Sequence, residues 1–166
     1  MRKLLAIALF AIINFSARAQ TTNNAVTEHD PAVKAKDESV TTDIIDPAVK
    51  AASGEAPDWA ALTQTITQKY DATTADRTVT KAKIYFYYGK DWPQFCMGIV
   101  NYTDKYELAN DYKLLNYNAG MILKRSDDPA QLKEAQKWAK AALDSNPNNE
   151  AYKTTYNGLT AKITGN

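Results

Sequence analysis

Residues 116–147 read NYNAGMILKRSDDPAQLKEAQKWAKAALDSNP. Apolar positions in and just before this stretch recur at steps of three and four, the spacing that places side chains on one face of a helix. Asp128 suits a helix N-cap, Pro129 the first helical position, and Gln131 can close a capping box. Asn146-Pro147 stops the helix that follows. The stretch predicts two helices whose apolar faces are Leu115, Ala119, Ile122 and Leu123, and then Leu132, Ala135, Ala139, Ala142 and Leu143.

The same periodicity extends on both sides of this pair and covers residues 58–166. Asp91, with Pro93 in the first turn, is expected to open one of these helices, and Gly89 to end the helix before it. No stretch alternates with a period of two, so we predict an all-α domain of about six helices. The four further faces are Trp59, Leu62, Ile66 and Tyr70; Val79, Ala82 and Phe86; Phe95, Ile99, Tyr102 and Tyr106; and Tyr152, Tyr156, Leu159 and Ile163.

The spacing of small residues in 116–147 resembles the tetratricopeptide repeat (TPR). Ala119-Gly120 stands in the first helix, and the second carries Ala135-x3-Ala139-x2-Ala142-x4-Pro147, where the repeat has W-x2-L-G-x2-Y and then A-x3-F and a later Pro. A weaker copy covers 77–106, with aromatic residues in place of the alanines. The resemblance implies antiparallel helix pairs stacked as a short solenoid, with Gly120 at the closest helix contact. A plain six-helix bundle has the same periodicity and is the alternative.

A second resemblance is to the helical module attached to thioredoxin-family proteins in Bacteroidota. It is carried by Pro57-Asp58-Trp59, by residues 85–93, and by residues 132–143 with Asn146-Pro147. The chain has no Cys-x-x-Cys pair, so the resemblance implies only the accessory helical part and no redox activity of its own.

The N-terminal residues predict export. Arg2 and Lys3 precede an apolar run from Leu4 to Ile13, and Ala17-Arg18-Ala19 suits a signal peptidase. The run is too short for a membrane span of about twenty residues, which argues against the alternative of a short anchor. We predict a signal peptide over 1–19, no stable membrane anchor, and a periplasmic or secreted mature chain.

Residues 20–57 contain no aromatic residue and carry a net charge of −4, a composition typical of a mobile acidic linker. Within them Asp30-Pro31-Ala32-Val33-Lys34-Ala35 recurs as Asp46-Pro47-Ala48-Val49-Lys50-Ala51, and each copy has the Asp-Pro start of a helix. A duplicated peptide-docking motif is the alternative to a solvated linker. The predicted domain boundaries are therefore 1–19, 20–57 and 58–166.

The composition leaves little catalytic equipment. The 166 residues have a net charge of +1, one Cys and one His, which argues against a nucleic-acid partner, a disulfide framework and a multi-His metal site. His29 lies in the acidic linker and is interpreted as a solvated residue. No phosphate loop or hydrolase motif is present. We predict a protein that is not an enzyme and has no cofactor.

Cys96 and one set of helix residues are the candidate functional positions. Cys96 adjoins Phe95 and precedes Ile99 by about a turn, which favours burial; the alternative is a redox-active thiol in a thioredoxin-type system. In a helix-pair array, the residues not used in packing line a concave surface. The predicted partner groove comprises Thr80, Ile84, Tyr87, Tyr117, Met121 and Lys124. The leading hypothesis is a protein or peptide interaction module, and a compact bundle with no groove is a further alternative.

Overall fold

The computed structural model describes residues 30–165, and all regular structure in this range is helical. The predicted all-α class is confirmed. The signal peptide and His29 lie outside the described residues. No helix between residues 30 and 165 has the length and apolar character needed to cross a membrane. The elements are α1 (Pro31–Val40), a π-helical turn (Thr41–Ile45), α2 (Asp46–Ala51), α3 (Trp59–Lys69), α4 (Ala72–Tyr87), α5 (Trp92–Tyr106), α6 (Tyr112–Arg125), α7 (Pro129–Ser145) and α8 (Glu150–Thr164).

Short polar side chains start most of these helices by accepting hydrogen bonds from free backbone N–H groups. Asp128 accepts from the N–H groups of Ala130 and Gln131, as predicted. The predicted capping box closes indirectly, because Ser126 Oγ donates to Gln131 Oε1 and accepts from the N–H of Asp128. The other helices capped in this way begin after Asp30, Asp58, Asp71, Asp91, Asp111 and Asn149.

Residues 31–51 differ from the predicted linker, because they form α1, the π turn and α2, here called the arm. Val40 and Ile45 are buried against α3 and α4. Arg77 of α4, only 2% exposed, donates from Nε and Nη2 to the two carboxylate oxygens of Asp37, each at 2.6 Å. Buried apolar side chains, among them Val40 and Ile45, and the buried ion pair therefore hold a segment whose composition alone predicts no core.

The second copy of the echoed sequence also differs from expectation. Asp30 caps α1 as predicted, but Asp46 lies inside a continuous helical path and its N–H donates to the carbonyl of Thr41, five residues back. Such π turns often accompany distortions of the hydrogen-bond ladder. Here the turn directly precedes Pro47, which lacks an N–H to donate.

Two apolar clusters organise the domain, and α4 and α5 join them. One cluster unites the arm with α3 and α4. The other unites α5, α6, α7 and α8. The buried members are Val40, Ile45, Leu62, Ile66, Ala75 and Val79 in the first, and Phe95, Cys96, Ile99, Leu115, Ala119, Ile122, Leu132, Ala135, Trp138, Ala139 and Leu159 in the second.

The closest glycine-mediated helix contacts are not at Gly120. A Cβ added there would meet nothing within 4 Å, so this expectation is wrong. A Cβ on Gly98 of α5 would lie 2.8 Å from Ile84 Cγ1, and one on Gly158 of α8 would lie 2.8 Å from Leu123 Cδ2. Gly98 thus lets α5 approach α4, and Gly158 lets α8 approach α6, while Gly120 faces open space.

Candidate partner groove

A groove of about 480 Å³ runs between α4 and α6. These two helices are not packed against each other, whereas α5 packs against both and forms the floor. Tyr85, Tyr88 and Tyr117 are large side chains that border the space between the two helices. The lining residues are Lys81, Ile84, Tyr85 and Tyr88 of α4 and its C-terminus; Phe95, Ile99, Tyr102 and Thr103 of α5; Glu107; and Leu114, Tyr117, Asn118 and Met121 of α6.

The walls expose an unusual amount of aromatic surface. Tyr85 is 71% exposed, Tyr88 59% and Tyr117 63%. Met97 of α5, at 44%, is the remaining large apolar residue of 30–165 with comparable exposure, and it lies outside the groove. Tyrosines offer large contact areas at a low cost in side-chain entropy, which is why they are frequent in binding surfaces. The exposed aromatic residues of the described chain are therefore concentrated at one place.

The floor of the groove is fixed by ring packing and one hydrogen bond. Phe95 contacts Trp92 and Tyr88 edge to face, with ring centroids 5.5 and 5.4 Å apart, a geometry favoured by aromatic quadrupoles. Asn118 Nδ2 of α6 donates to Thr103 Oγ1 of α5 at 2.9 Å. These contacts join Phe95 to Tyr88 at the end of α4 and join α5 to α6 beneath the exposed tyrosines.

The end of the groove nearer the start of α6 carries charges of both signs. Lys81 Nζ lies 5.9 Å from the centroid of the Tyr102 ring, and Glu107 lines the same end. Burial lowers the pKa of Lys81, with Glu107 opposing the shift, and burial raises the pKa of the Tyr102 hydroxyl. Lys81 of α4 belongs to the wall of the groove and Tyr102 of α5 to its floor.

Three of the six predicted groove residues line the groove: Ile84, Tyr117 and Met121. Thr80, Tyr87 and Lys124 do not. Tyr87 is half-buried on another face of α4, where its ring contacts Phe86 and its hydroxyl accepts a hydrogen bond from Trp59 Nε1 at 3.2 Å. Tyr87 is therefore partly exposed, as expected, but it lies outside the groove. Phe86, expected in the core, is also only half-buried.

The misplacement on α4 is a phase error of one residue. The observed lining positions 81, 84, 85 and 88 are spaced as one helix face, and the predicted Thr80 and Tyr87 each lie one position, or about 100°, before a lining residue, whereas Ile84 is common to both sets. Tyr85 and Tyr88 were therefore missed. The tyrosine run alone does not separate these residues from Tyr87, because the side chain that takes Tyr87 as its partner is Trp59 of α3.

Two smaller clefts adjoin the groove and are bounded by the arm. The second cleft, about 270 Å³, lies between α1, the π turn and α4; the third, about 330 Å³, lies between the π turn, α2 and the end of α4. Tyr85 borders all three cavities. Its exposed ring therefore separates the groove from the two clefts. The clefts add arm residues to the concave surface, and the predicted groove contained none of these residues.

Cys96 is fully buried in the cluster of α5 to α8. Burial raises the pKa of its thiol to about 11, despite the opposing influence of Arg125 and Lys162. A thiol of this kind is a poor nucleophile at neutral pH, because the reactive form is the thiolate. This placement favours the structural interpretation of Cys96 over the redox one. Between residues 30 and 165, no three His, Cys, Asp or Glu side chains are grouped so that they could hold a metal ion.

Comparison of the chain with protein-family models, with curated proteins and with solved structures finds no match.

Proposed function

We propose that this chain is an exported, non-enzymatic, TPR-like interaction module that binds an extended segment of a protein partner in the groove between α4 and α6. The observation that carries the proposal is the cluster of three exposed tyrosines, Tyr85, Tyr88 and Tyr117, around a cavity of about 480 Å³. Exposed apolar surface gathered at one site is typical of interaction surfaces. Grooves between helices commonly accept extended or helical peptides.

The helix contacts support the TPR-like part of the proposal. α7 packs against both α6 and α8, and α8 also contacts α6, the pattern of a helix pair followed by the first helix of the next pair. In the preceding unit α4 packs on α5, but α4 and α6 remain apart. The aromatic residues that replace the small residues of this weaker repeat account for the gap. The groove occupies it.

Selection of peptides tests the proposal. A random displayed-peptide library is panned against the immobilised mature chain, and binding of the recovered peptides is compared between the wild type and Tyr85→Ala/Tyr117→Ala. We expect enriched peptides whose affinity falls by about tenfold or more in the variant, since truncated interface aromatics often cost more than 1 kcal/mol. Met97→Ala is the matched control because it removes an exposed apolar side chain outside the groove.

The thermal midpoints of the variants separate binding from folding. Tyr85 and Tyr117 are mostly exposed, so their truncation is expected to leave the midpoint close to that of the wild type. Absence of enriched peptides, or equal binding to the double variant, contradicts the proposal. Unfolding of the tyrosine variants as readily as a core truncation such as Phe95→Ala favours the compact-bundle alternative.

A further inference from the structure

The groove continues into a cationic end. Tyr117, Met121 and Lys124 are spaced i, i+4 and i+7 on α6, so Lys124 extends the groove wall by one turn. Arg125 is exposed, and its guanidinium carbon lies 4.0 Å from the centroid of the Trp92 ring. Trp92 contacts Tyr88, which lines the groove, with ring centroids 5.6 Å apart. The Trp92 ring therefore lies between the Arg125 guanidinium and Tyr88, which belongs to the groove wall.

These cations have no carboxylate partner among residues 30–165. Lys90, beyond Tyr88, also lacks one; its Nζ lies 3.9 Å from the centroid of the Phe86 ring. The acids close in sequence already have partners. Asp91 and Asp128 accept hydrogen bonds from backbone N–H groups, and Asp127 pairs with Lys162 at 2.8 Å. The positive charge at this end of the groove remains available to an anion.

The groove is thus electrostatically asymmetric. At one end Lys81 and Glu107 carry opposite charges, and at the other Lys124 and Arg125 carry the same charge. We propose that the partner segment, whose binding rests on the function proposed above, combines apolar side chains with a run of acidic residues that lies against Lys124 and Arg125. The apolar side chains occupy the cavity beside the tyrosines.

The distribution of the cations favours a run of acidic side chains over a single terminal carboxylate. Lys124 and Arg125 are adjacent at the end of α6, whereas Lys90 packs on the Phe86 ring and lines the third cleft, so the positive charge is distributed over more than one site and matches several carboxylates better than one. The chain as a whole carries only +1. This gives no general attraction to polyanions such as nucleic acid or an anionic membrane. The local charge fits a peptide segment that also fills an apolar groove.

Paired synthetic peptides test this inference on the mature chain. One labelled, amidated peptide has leucine and phenylalanine followed by a run of glutamates, and its partner has glutamines in place of the glutamates. Fluorescence anisotropy is expected to give about tenfold tighter binding of the glutamate peptide, as charge-assisted hydrogen bonds at a rim would provide. Lys124→Gln/Arg125→Gln should abolish this preference, and Lys69→Gln, which removes an exposed lysine of α3, should retain it.

Each other outcome is decisive. Equal binding of both peptides to the wild type overturns the acidic-segment inference and leaves the groove function standing. Binding of neither peptide contradicts both. A glutamine peptide that gains full affinity from a free C-terminal carboxylate overturns the acidic run in favour of a terminal group. Binding of phosphatidylglycerol vesicles or an oligonucleotide through the same two residues, without peptide binding, overturns the protein partner. Lys124→Gln alone, at an exposed position, gives a second variant with little risk to folding.

Discussion

The ion pair between Asp37 and Arg77 should dominate the docking of the arm. The Arg77 side chain is 2% exposed and that of Asp37 14%, and they make two hydrogen bonds of 2.6 Å. Asp37→Ala leaves the guanidinium buried without a counter-charge. Removing one partner of a buried pair costs about 3–5 kcal/mol. We expect a loss of this size in the free energy of unfolding.

Urea unfolding followed by far-UV circular dichroism measures this loss. Glu38→Gln is the matched control, because Glu38 is exposed and pairs with Lys34 only at 3.9 Å; its expected effect is within about 0.5 kcal/mol. Replacing both partners with apolar residues, Asp37→Leu/Arg77→Met, should recover much of the loss. An Asp37→Ala chain as stable as the wild type would refute the conclusion that the arm is held by this pair.

The remaining predictions concern packing and titration. Gly120→Ala should raise the free energy of unfolding by about 0.5–1 kcal/mol through helix propensity, because its Cβ meets no other atom. Gly98→Ala should lower the free energy of unfolding by about 1–3 kcal/mol, because its Cβ would overlap Ile84. Chemical unfolding of the two variants measures both changes. The buried Cys96 should resist a thiol reagent in the folded chain and react rapidly in denaturant, and rapid labelling of the folded chain would revive the redox alternative. Its pKa is raised from 9.0 to about 11, so the unfolded chain loses this proton first and the stability should fall as the pH rises above about 9; Cys96→Ala should flatten that part of the profile.

The helices from residue 58 onward could be predicted because their signals are local. Asp91 and Asp128 cap helices at the expected positions, and Gly89 adopts a positive φ of 74° after α4. Apolar residues at helical spacing are sufficient where the core is built from neighbouring helices. The four residues predicted for the apolar face of α5, Phe95, Ile99, Tyr102 and Tyr106, are all buried, and Cys96, Gly98 and Thr103 are buried beside them.

The arm could not be predicted from the same signals. Val40 and Ile45 are five residues apart, a spacing that fits the π turn between them rather than a regular α-helix. The polar anchor joins Asp37 to a residue forty positions away. The composition of a segment reports only what that segment could bury by itself. The arm is ordered by its contacts with α3 and α4, which lie outside the segment.

Three of the six predicted groove residues line the groove, because the sequence defines the groove-facing side of α6 but not that of α4. On α6 the phase was correct, and Tyr117 and Met121 line the cavity. On α4 four consecutive aromatic residues, at positions 85–88, point in four directions around the helix. The sequence therefore does not show which of them face the groove. The side chain that selects the phase is Trp59, which takes Tyr87 as its partner and leaves Tyr85 and Tyr88 for the groove.

The groove function is tested most directly by mapping where a selected peptide binds. Amide chemical-shift changes are recorded on the isotope-labelled chain of residues 20–166 during titration with a peptide recovered from the library. We expect the largest changes in residues 81–88, 95–103 and 114–125, which form the walls and floor of the groove and its cationic end, with little change in α3 and α8. Changes concentrated on α7 and α8, with residues 81–88 unaffected, would contradict the assignment of the groove as the binding site.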